Sequence, residues 1–218
     1  MAMKIESAAR GPFETNVYLI TSDDGKECAV VDAPPGAAAL LLPLIRQRGL
    51  RLTHLLLTHG HWDHMAEAHA FAAAGAQVLA HRADRELIEN IEAYKNRYQT
   101  MIPWLTDEDF HSTKVTTWLG QGDAFTAAGK QFSVHHVPGH CPGSLLFHCA
   151  DDQVAFCGDA IFKGSVGRTD LPNGNWQELL QSIRTRIYTL PEDTTLLPGH
   201  GGRTTVGEER RNNPYAKP

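Results

Sequence analysis

Hydrophobic and polar positions in the first part of the chain follow patterns typical of strands, with one helix between them. The β-rich segments 17–20 and 28–32 are separated by the turn sequence Ser-Asp-Asp-Gly at 22–25, which indicates a hairpin. The apolar segment 36–47 favours a helix. The apolar run 52–58 then predicts a buried strand, and this strand leads directly into a histidine-rich segment.

The next segments are predicted to be helical, with one strand between them. Small apolar residues over 65–74 favour a helix that ends at Gly75, and a strand follows at 77–81. In the segment 83–101, large apolar residues recur every three or four positions, which predicts one amphipathic helix. These residues are Leu87, Ile91, Tyr94, Tyr98 and Met101. Such a helix either docks on the core or covers a site.

The second half returns to strands and ends in a helix. The β-rich segments lie at 115–118, 131–137, 144–149 and 153–158. Asn175 is placed to cap a final helix, whose apolar face is formed by Trp176, Leu179, Leu180, Ile183 and Ile187. Each half of the chain therefore supplies enough strands for one sheet. We predict an α/β protein in which two sheets form a sandwich covered by helices.

Composition and charge exclude several classes of protein. The chain has 218 residues, of which 42% are hydrophobic and 21% are charged, so it can bury a sizeable core as one soluble domain. Twenty basic and 25 acidic residues give a net charge of −5. A nucleic-acid partner is disfavoured because such binding depends on neutralising phosphates.

The sequence shows neither a membrane span nor an export signal. The longest apolar stretch, 37–45, is broken by Pro43 and is much shorter than the ~20 residues that cross a bilayer. Residues 1–10 lack the apolar region and cleavage site of a secretory signal. The four cysteines form no Cys-x-x-Cys pair and are expected to be reduced, mostly buried thiols. We expect a cytoplasmic protein that has no membrane partner.

Four side chains of metal-ligand type occur within six residues, where the strand at 52–58 turns into the next helix. They are His59, His61, Asp63 and His64. Residues 59, 61 and 63 share one face of an extended chain, so two imidazoles can bind one ion while the acidic and histidine side chains at the turn reach a second. Each residue taken alone has an ordinary explanation; Asp63, for example, can cap a helix.

Three further candidates each follow an apolar strand and lie in a loop marked by glycine: His140, Asp159 and His200. Glycine lets the backbone approach an ion closely, and the preceding strand fixes the position of the loop. The seven side chains suffice for two ions that share one carboxylate and one solvent oxygen. Nitrogen and carboxylate ligands without a thiolate favour two Zn²⁺ ions per chain, with Fe or Mn as alternatives.

The motif Thr-His-Gly-His-Trp-Asp-His at 58–64, followed in order by His140, Asp159 and His200, resembles the metallo-β-lactamase superfamily over nearly the whole chain. The resemblance implies a four-layer αββα sandwich of two mixed β-sheets flanked by helices, with the metals at one edge of the paired sheets. It also implies that one ion is bound by His59, His61 and His140, that the other is bound by Asp63, His64 and His200, and that Asp159 bridges them.

Further motifs resemble the glyoxalase II branch, the hydroxyacylglutathione hydrolases, in their short bacterial form. They are Pro-Gly-His-Cys-Pro-Gly-Ser at 138–144, Gly-Asp-Ala-Ile-Phe at 158–162, Gly-Arg-Thr-Asp at 167–170 and the segment 198–214. The resemblance implies one domain over 1–218, without the C-terminal helical region of full-length glyoxalases II. It implies hydrolysis of a glutathione-type thioester, with Arg168 near a carboxylate of glutathione. Lys163, Tyr98 and Trp104 are further candidates to line the same groove.

The chemistry of such a site requires no side-chain nucleophile. Two metal ions supply a hydroxide and polarise the acyl oxygen of the thioester, and Asp63 is expected to orient the hydroxide as a catalytic residue. Antibiotic hydrolysis is disfavoured, because true zinc β-lactamases have Cys in the second-ion set where this chain has Asp159.

Three other functions stay open. Persulfide dioxygenases share the ligand frame but hold a single Fe on the residues that match His59, His140 and Asp159. A lactonase uses the same two ions on an ester. A non-enzymatic module stabilised by metal predicts ions without an open coordination position. The oligomeric state is not indicated by the sequence.

Overall fold

Two six-stranded sheets form the centre of the structure, which is a computed structural model that describes residues 3–217. In the first sheet the strands follow chain order: β1 Lys4–Arg10, β2 Thr15–Thr21, β3 Glu27–Val31, β4 Arg51–Leu56, β5 Gln77–His81 and β6 Thr117–Leu119. The pairs from β1 to β3 are antiparallel, and those from β3 to β6 are parallel. The first half of the chain therefore supplies one mixed sheet, as predicted.

The second sheet comes from the second half of the chain. The later strands are β7 Ala124–Ala127, β8 Lys130–His136, β9 Leu145–Cys149, β10 Val154–Gly158, β11 Ile161–Phe162, β12 Ser165–Val166, β13 Thr195–Pro198 and β14 Thr204–Thr205. The order in this sheet is β14-β13-β10-β9-β8-β7, and only β10 and β13 are parallel to each other. Strands β11 and β12 form a separate small hairpin.

Short helices cover both sheets. They are α1 Ala37–Gln47, α2 Trp62–Met65, α3 Ala68–Ala73, α4 Arg85–Glu89, α5 Lys95–Met101, α6 Trp176–Ser182 and α7 Val206–Asn212. A π-helical segment over Ile183–Ile187 continues α6. The side chain of Asn175 accepts a hydrogen bond from the amide of Glu178, which confirms the predicted N-cap of the last long helix.

Three hydrophobic layers separate the four layers of the fold. On β2, Val17 and Leu19 pack with the helices outside the first sheet, whereas Tyr18 and Ile20 face the second sheet, as the two-residue period of a strand requires. The layer between the sheets also contains the buried Phe147. The third layer joins the second sheet to α6 and its π-helical extension. This arrangement confirms the predicted αββα sandwich.

The prediction of one helix over 83–101 is wrong. The segment contains two short helices, α4 and α5, interrupted at Asn90, whose φ of −145° and ψ of 37° are not helical. The amide of Ile91 is hydrogen-bonded to Ser112 Oγ instead of a carbonyl one turn back. The spacing of large apolar residues was misleading, because Met101 is 49% exposed while Ile88, which is outside the predicted seam, is fully buried.

The predicted helix over 65–74 is also interrupted, at Glu67, between α2 and α3. The Glu67 carboxylate accepts hydrogen bonds from the amides of Gly36 and Ala38 at 2.7 and 2.6 Å. The Gly36 residue directly precedes α1, and Ala38 lies in its first turn. Glu67 therefore accepts from N–H donors that have no partner within the helix. This contact between elements distant in sequence accounts for the break.

Several other features agree with the sequence or were missed by it. All four cysteines are free and buried, which confirms the prediction of unpaired thiols. Strands β1 and β7 were not predicted, because few of their residues are buried. Within residues 3–217, no helix is both long and apolar enough to cross a membrane.

Candidate metal centre

The seven candidate ligands meet at one edge of the sandwich, on loops that follow strands of both sheets. His59 lies three residues after β4, and the loop continues to His64 in α2. His140 follows β8, Asp159 comes directly after β10, and His200 lies two residues after β13. The loop at His200 reaches across to the first sheet through a bridge to Thr15. Both halves of the chain are therefore needed to build the site.

Three imidazoles face one another in the first part of the cluster. The distance is 3.0 Å from His59 Nε2 to His61 Nδ1, 2.9 Å from His61 Nδ1 to His140 Nε2 and 3.2 Å from His140 Nε2 to His59 Nε2. Ligand atoms on a tetrahedral ion with bonds of ~2.0–2.1 Å lie about 3.3 Å apart. The three nitrogens are therefore spaced as a small metal ion requires.

Two carboxylates and two imidazoles form the second part. Asp63 Oδ2 lies 3.5 Å from His64 Nε2 and 3.4 Å from His200 Nε2. Asp159 lies between the two parts: Oδ1 is 3.4 Å from His64 Nε2, and Oδ2 is 3.6 Å from His140 Nε2. The other contact of Asp159 Oδ2 is with His200 Nε2 at 3.3 Å.

Two polar atoms at the centre of the cluster have no partner. His64 Nε2 and Asp159 Oδ1 are buried and make no hydrogen bond within the described part of the chain. A buried polar atom without a partner is costly, so such atoms in a native structure point to a missing bound species. Three groups of ligand type, one of which includes both residues, have their ligand atoms within 4.8 Å of one another. The residues present fit a pair of metal ions.

Hydrogen bonds behind the cluster fix the orientation of the imidazoles. His140 Nδ1 donates to the carbonyl oxygen of Arg168 at 2.7 Å, and His200 Nδ1 donates to that of Phe13 at 2.9 Å. A carbonyl only accepts, so the proton must be on Nδ1. The Nε2 atom of each ring is then directed at the cluster, as a metal ligand requires.

Asp32 is a carboxylate in contact with the cluster that the sequence analysis missed. It follows β3, is 1% exposed and lies in the left-handed region with φ 58°. Its carboxylate accepts hydrogen bonds from the amide and hydroxyl of Thr58 and lies 2.8 Å from His64 Nδ1. A carboxylate that directly follows the apolar run 28–31 was the available signal.

The charges of the cluster are unevenly distributed. Burial, reinforced by the neighbouring His140, lowers the pKa of His61 to about 3, so this ring is neutral. Burial disfavours the charge of Asp63, but His64 and His200 outweigh it and hold the pKa of Asp63 at about 2. Burial also opposes charge on His200, yet hydrogen bonds to Asp159 and Asp63 raise its pKa to about 10. The two carboxylates therefore attract positive charge.

The loop glycine before His200 is required by close packing. A Cβ atom at Gly199 would lie 2.1 Å from Asp159 Oδ1 and 2.5 Å from the Cε1 atom of His64. Only a residue without a side chain lets this loop approach the cluster so closely. The glycine-marked loops were selected in the sequence because glycine allows a close approach of the backbone, and the packing at Gly199 agrees with this reason.

A cleft of about 320 Å³ opens onto the cluster. One part of its wall is apolar and is formed by Phe13, Met101, Ile102 and Leu171. Arg168 lines the cleft, and its guanidinium is paired with Asp170 through two hydrogen bonds of 2.7 and 2.8 Å. Arg97 of α5 also lines the cleft, and no carboxylate pairs with it among the ion pairs of residues 3–217. The sequence analysis missed Arg97, because the pattern offered no sign that α5 reaches the site.

The other proposed substrate contacts have different positions. Tyr98 lines the cleft, and its hydroxyl lies 3.4 Å from the amide of Trp62. Lys163 is exposed on the turn between β11 and β12 and does not line the cleft. Trp104 is 66% exposed and is absent from the lining as well. The small β11–β12 hairpin leaves Lys163 exposed to solvent, and its contact with substrate stays a prediction.

An αββα sandwich with an edge cluster of imidazoles and carboxylates defines a class of metal-dependent enzymes. The family model of the metallo-β-lactamase superfamily matches residues 10–200, and the chain belongs to this superfamily, whose members bind metals. The chain is also similar to the hydroxyacylglutathione hydrolase GloC of Haemophilus influenzae, with 36% identity over 98% of each sequence.

Two solved structures are similar over almost their entire length. One is the B3 metallo-β-lactamase BLEG-1, with 33% identity, a TM-score of 0.85 and coverage of 99% of this chain and 100% of that chain. The other is TTHA1623 in a di-iron-bound form, with 32% identity, a TM-score of 0.79 and coverage of 96% and 99%. The fold and the metallo-hydrolase class therefore agree with the resemblance found in the sequence.

Proposed function

We propose that the protein is a hydroxyacylglutathione hydrolase, which cleaves S-(2-hydroxyacyl)glutathione thioesters such as lactoylglutathione. The observation that carries this proposal is the cluster of five imidazoles and two carboxylates beside an open cleft. The similarity to GloC over nearly the whole chain supports the choice of substrate. The buried, unpaired cysteines are consistent with a cytoplasmic enzyme.

Two metal ions would be held by the seven residues of the cluster. In this proposal His59, His61 and His140 would hold the first ion and Asp63, His64 and His200 the second, with Asp159 available to both. When bound, such ions lower the pKa of a coordinated water to about 7 and polarise the acyl oxygen. Nitrogen and carboxylate ligands favour Zn²⁺. Iron is the main alternative, because the similar TTHA1623 has a di-iron form.

Asp63 orients the attacking water. Its Oδ2 atom accepts a hydrogen bond from Thr15 Oγ1 at 2.8 Å, which holds the carboxylate beside the cleft. The carboxylate would also accept a hydrogen bond from the attacking water and direct the water oxygen at the acyl carbon. The water oxygen adds to the acyl carbon, and the C–S bond breaks as the carbonyl forms again. The two protons of the water pass to solvent, so the acyl product leaves as a carboxylate. The thiol product has a pKa of about 8.5, so it departs as thiolate and takes its proton from solvent.

The cleft supplies binding for the thiol part of the substrate. Its apolar wall offers a surface for the carbon chain of the substrate, and Arg97 and Arg168 offer guanidinium groups to the carboxylates of glutathione. The pair between Arg168 and Asp170 is exposed, so a substrate carboxylate can compete for it. Substrates without carboxylates lose these contacts.

A β-lactam amide is the second candidate substrate, because the B3 metallo-β-lactamase BLEG-1 has the same fold over its whole length. The decisive experiment incubates the metal-loaded protein with lactoylglutathione, glutathione persulfide, a lactone and a chromogenic cephalosporin. We expect release of free thiol from the thioester, with no oxygen uptake. Oxygen uptake with the persulfide and no thiol release would replace the hydrolase by a dioxygenase, and selective cleavage of the cephalosporin would replace it by a β-lactamase.

A further inference from the structure

A buried carboxylate outside the seven candidate ligands lies behind the three-histidine part of the cluster. Asp84 is on the turn Arg82–Asp84 that follows β5, and only 1% of its surface is exposed. Its burial raises its pKa, so keeping it ionised costs free energy. A charged group in such a position needs donors close by.

Three donors from two loops converge on this carboxylate. The amide of Gly60 donates to Oδ2 at 2.8 Å, and the amide of Gly143 donates to Oδ1 at 2.7 Å. The Sγ atom of Cys141 lies 3.2 Å from both oxygens. Two amide protons and a thiol proton point at the oxygens, so the carboxylate acts only as an acceptor and is ionised.

The two loops joined by Asp84 carry all three facing imidazoles. Gly60 lies between His59 and His61, and Cys141 follows His140 directly. A movement of one loop relative to the other would change the spacings of 2.9 to 3.2 Å between the ring nitrogens. The fit around Asp84 is tight, because a Cβ atom at Gly143 would lie 2.4 Å from the Asp84 carboxyl carbon. Asp84 therefore limits how far the loops can move apart.

We propose that Asp84 is a positioning residue for the first metal ion: it clamps the loops 59–61 and 140–143 together and places a carboxylate behind the three imidazoles. This inference rests on the metal centre assigned under the proposed function. Outer carboxylates that orient metal ligands typically change metal affinity by ~10–100-fold when they are removed. A purely structural Asp84 would instead affect only the stability of the fold.

The test compares Asp84→Asn with the matched control Asp152→Asn. Asp152 also accepts hydrogen bonds from a backbone amide, that of Met3, and from a thiol, that of Cys149, and it lies at the opposite end of β10 from Asp159. Zinc dissociation constants are measured by competition with a chromophoric chelator, and the melting temperature of each metal-free variant is recorded. A His61→Ala variant identifies which constant belongs to the three-histidine part.

We expect Asp84→Asn to raise the dissociation constant of the first ion by roughly 10–100-fold and to leave that of the second unchanged. Asp152→Asn should lower the melting temperature and change neither constant. Equal constants in wild type and folded Asp84→Asn would overturn the inference. If Asp84→Asn does not fold, Cys141→Ala, which removes one donor to Asp84, must raise the dissociation constant of the first ion. An unchanged constant in Cys141→Ala would also overturn the inference. Failure of the wild type to bind two ions contradicts the proposed function instead.

Discussion

The carboxylate of Asp32 and the imidazole of His64 are 2.8 Å apart, although the two residues are 32 positions apart in the sequence. The contact is fully buried, and it leaves His64 Nε2 directed at Asp63 and Asp159. A carboxylate on Nδ1 fixes the tautomer of a ligating histidine and makes its other nitrogen more basic. Asp32 therefore prepares one ligand of the second proposed ion from outside the cluster.

Replacing Asp32 by Asn should weaken the binding of the second metal ion. Asn keeps the size of the side chain but removes the charge and offers a donor where Thr58 and His64 already donate. We expect the dissociation constant of the second ion to rise by roughly 10–100-fold while the first stays constant. Chelator competition measures both. A change in the first constant alone would show that Asp32 does not act through His64.

Replacing Asp63 by Ala should separate chemistry from binding. The change removes a proposed ligand and the group that orients the attacking water, so kcat for lactoylglutathione should fall by ~10²-fold or more. Steady-state kinetics are measured with metal content determined on the same preparations. Full activity of Asp63→Ala at full metal occupancy would rule out the mechanism proposed for this residue.

The two arginines of the cleft should govern KM. Arg97→Ala removes a charge-assisted hydrogen bond to substrate that is present equally in the ground and transition states, so KM should rise roughly tenfold at constant kcat. Arg168→Ala should have a smaller effect, because the pair with Asp170 already competes for its guanidinium. A thioester that lacks carboxylates is the control and should show no difference. A fall in kcat at constant KM would contradict the binding role.

Removal of metal should make stability depend on pH in a predictable way. In the metal-free protein, the raised pKa of His200, about 10 against 6.5 for a free side chain, contributes stability below pH 6.5 that is lost as pH rises towards 10. The lowered pKa of Asp63, about 2 against 3.8, contributes stability above pH 3.8 that is lost as pH falls towards 2. The melting temperature of chelator-treated protein should therefore be higher at pH 6 than at pH 10. Thermal unfolding in the presence of chelator at the two pH values tests this prediction.

The layer between the sheets should contribute strongly to the stability of the fold. Phe147 is completely buried there, beside Phe132 and Phe156. Phe147→Ala should lower the free energy of unfolding by about 3–5 kcal/mol, the usual cost of truncating a buried aromatic side chain. Denaturant titration measures the loss. Phe13→Ala, at a site that is 45% exposed, is the control and should cost far less.

Sequence patterns predicted the elements whose periodicity reflects burial. The strands at 28–32 and 77–81 and the helix over 36–47 were found because their apolar residues face a layer of the sandwich. The prediction of a single helix over 83–101 was wrong. Asp84 accepts a hydrogen bond from Gly143, which is remote in sequence, and the backbone of Asn90 lies outside the helical region. Local propensity does not register such contacts.

The sequence by itself determined which seven side chains form the cluster. Four of them lie within the six residues 59–64, and the other three follow strands in glycine-marked loops. Only the tertiary structure decided which groups support them. Asp32, Asp84 and Arg97 come to the site from β3, from the turn after β5 and from α5. The physical reason is that a ligand loop is specified by local residue types, whereas hydrogen bonds and cleft walls depend on how distant elements pack.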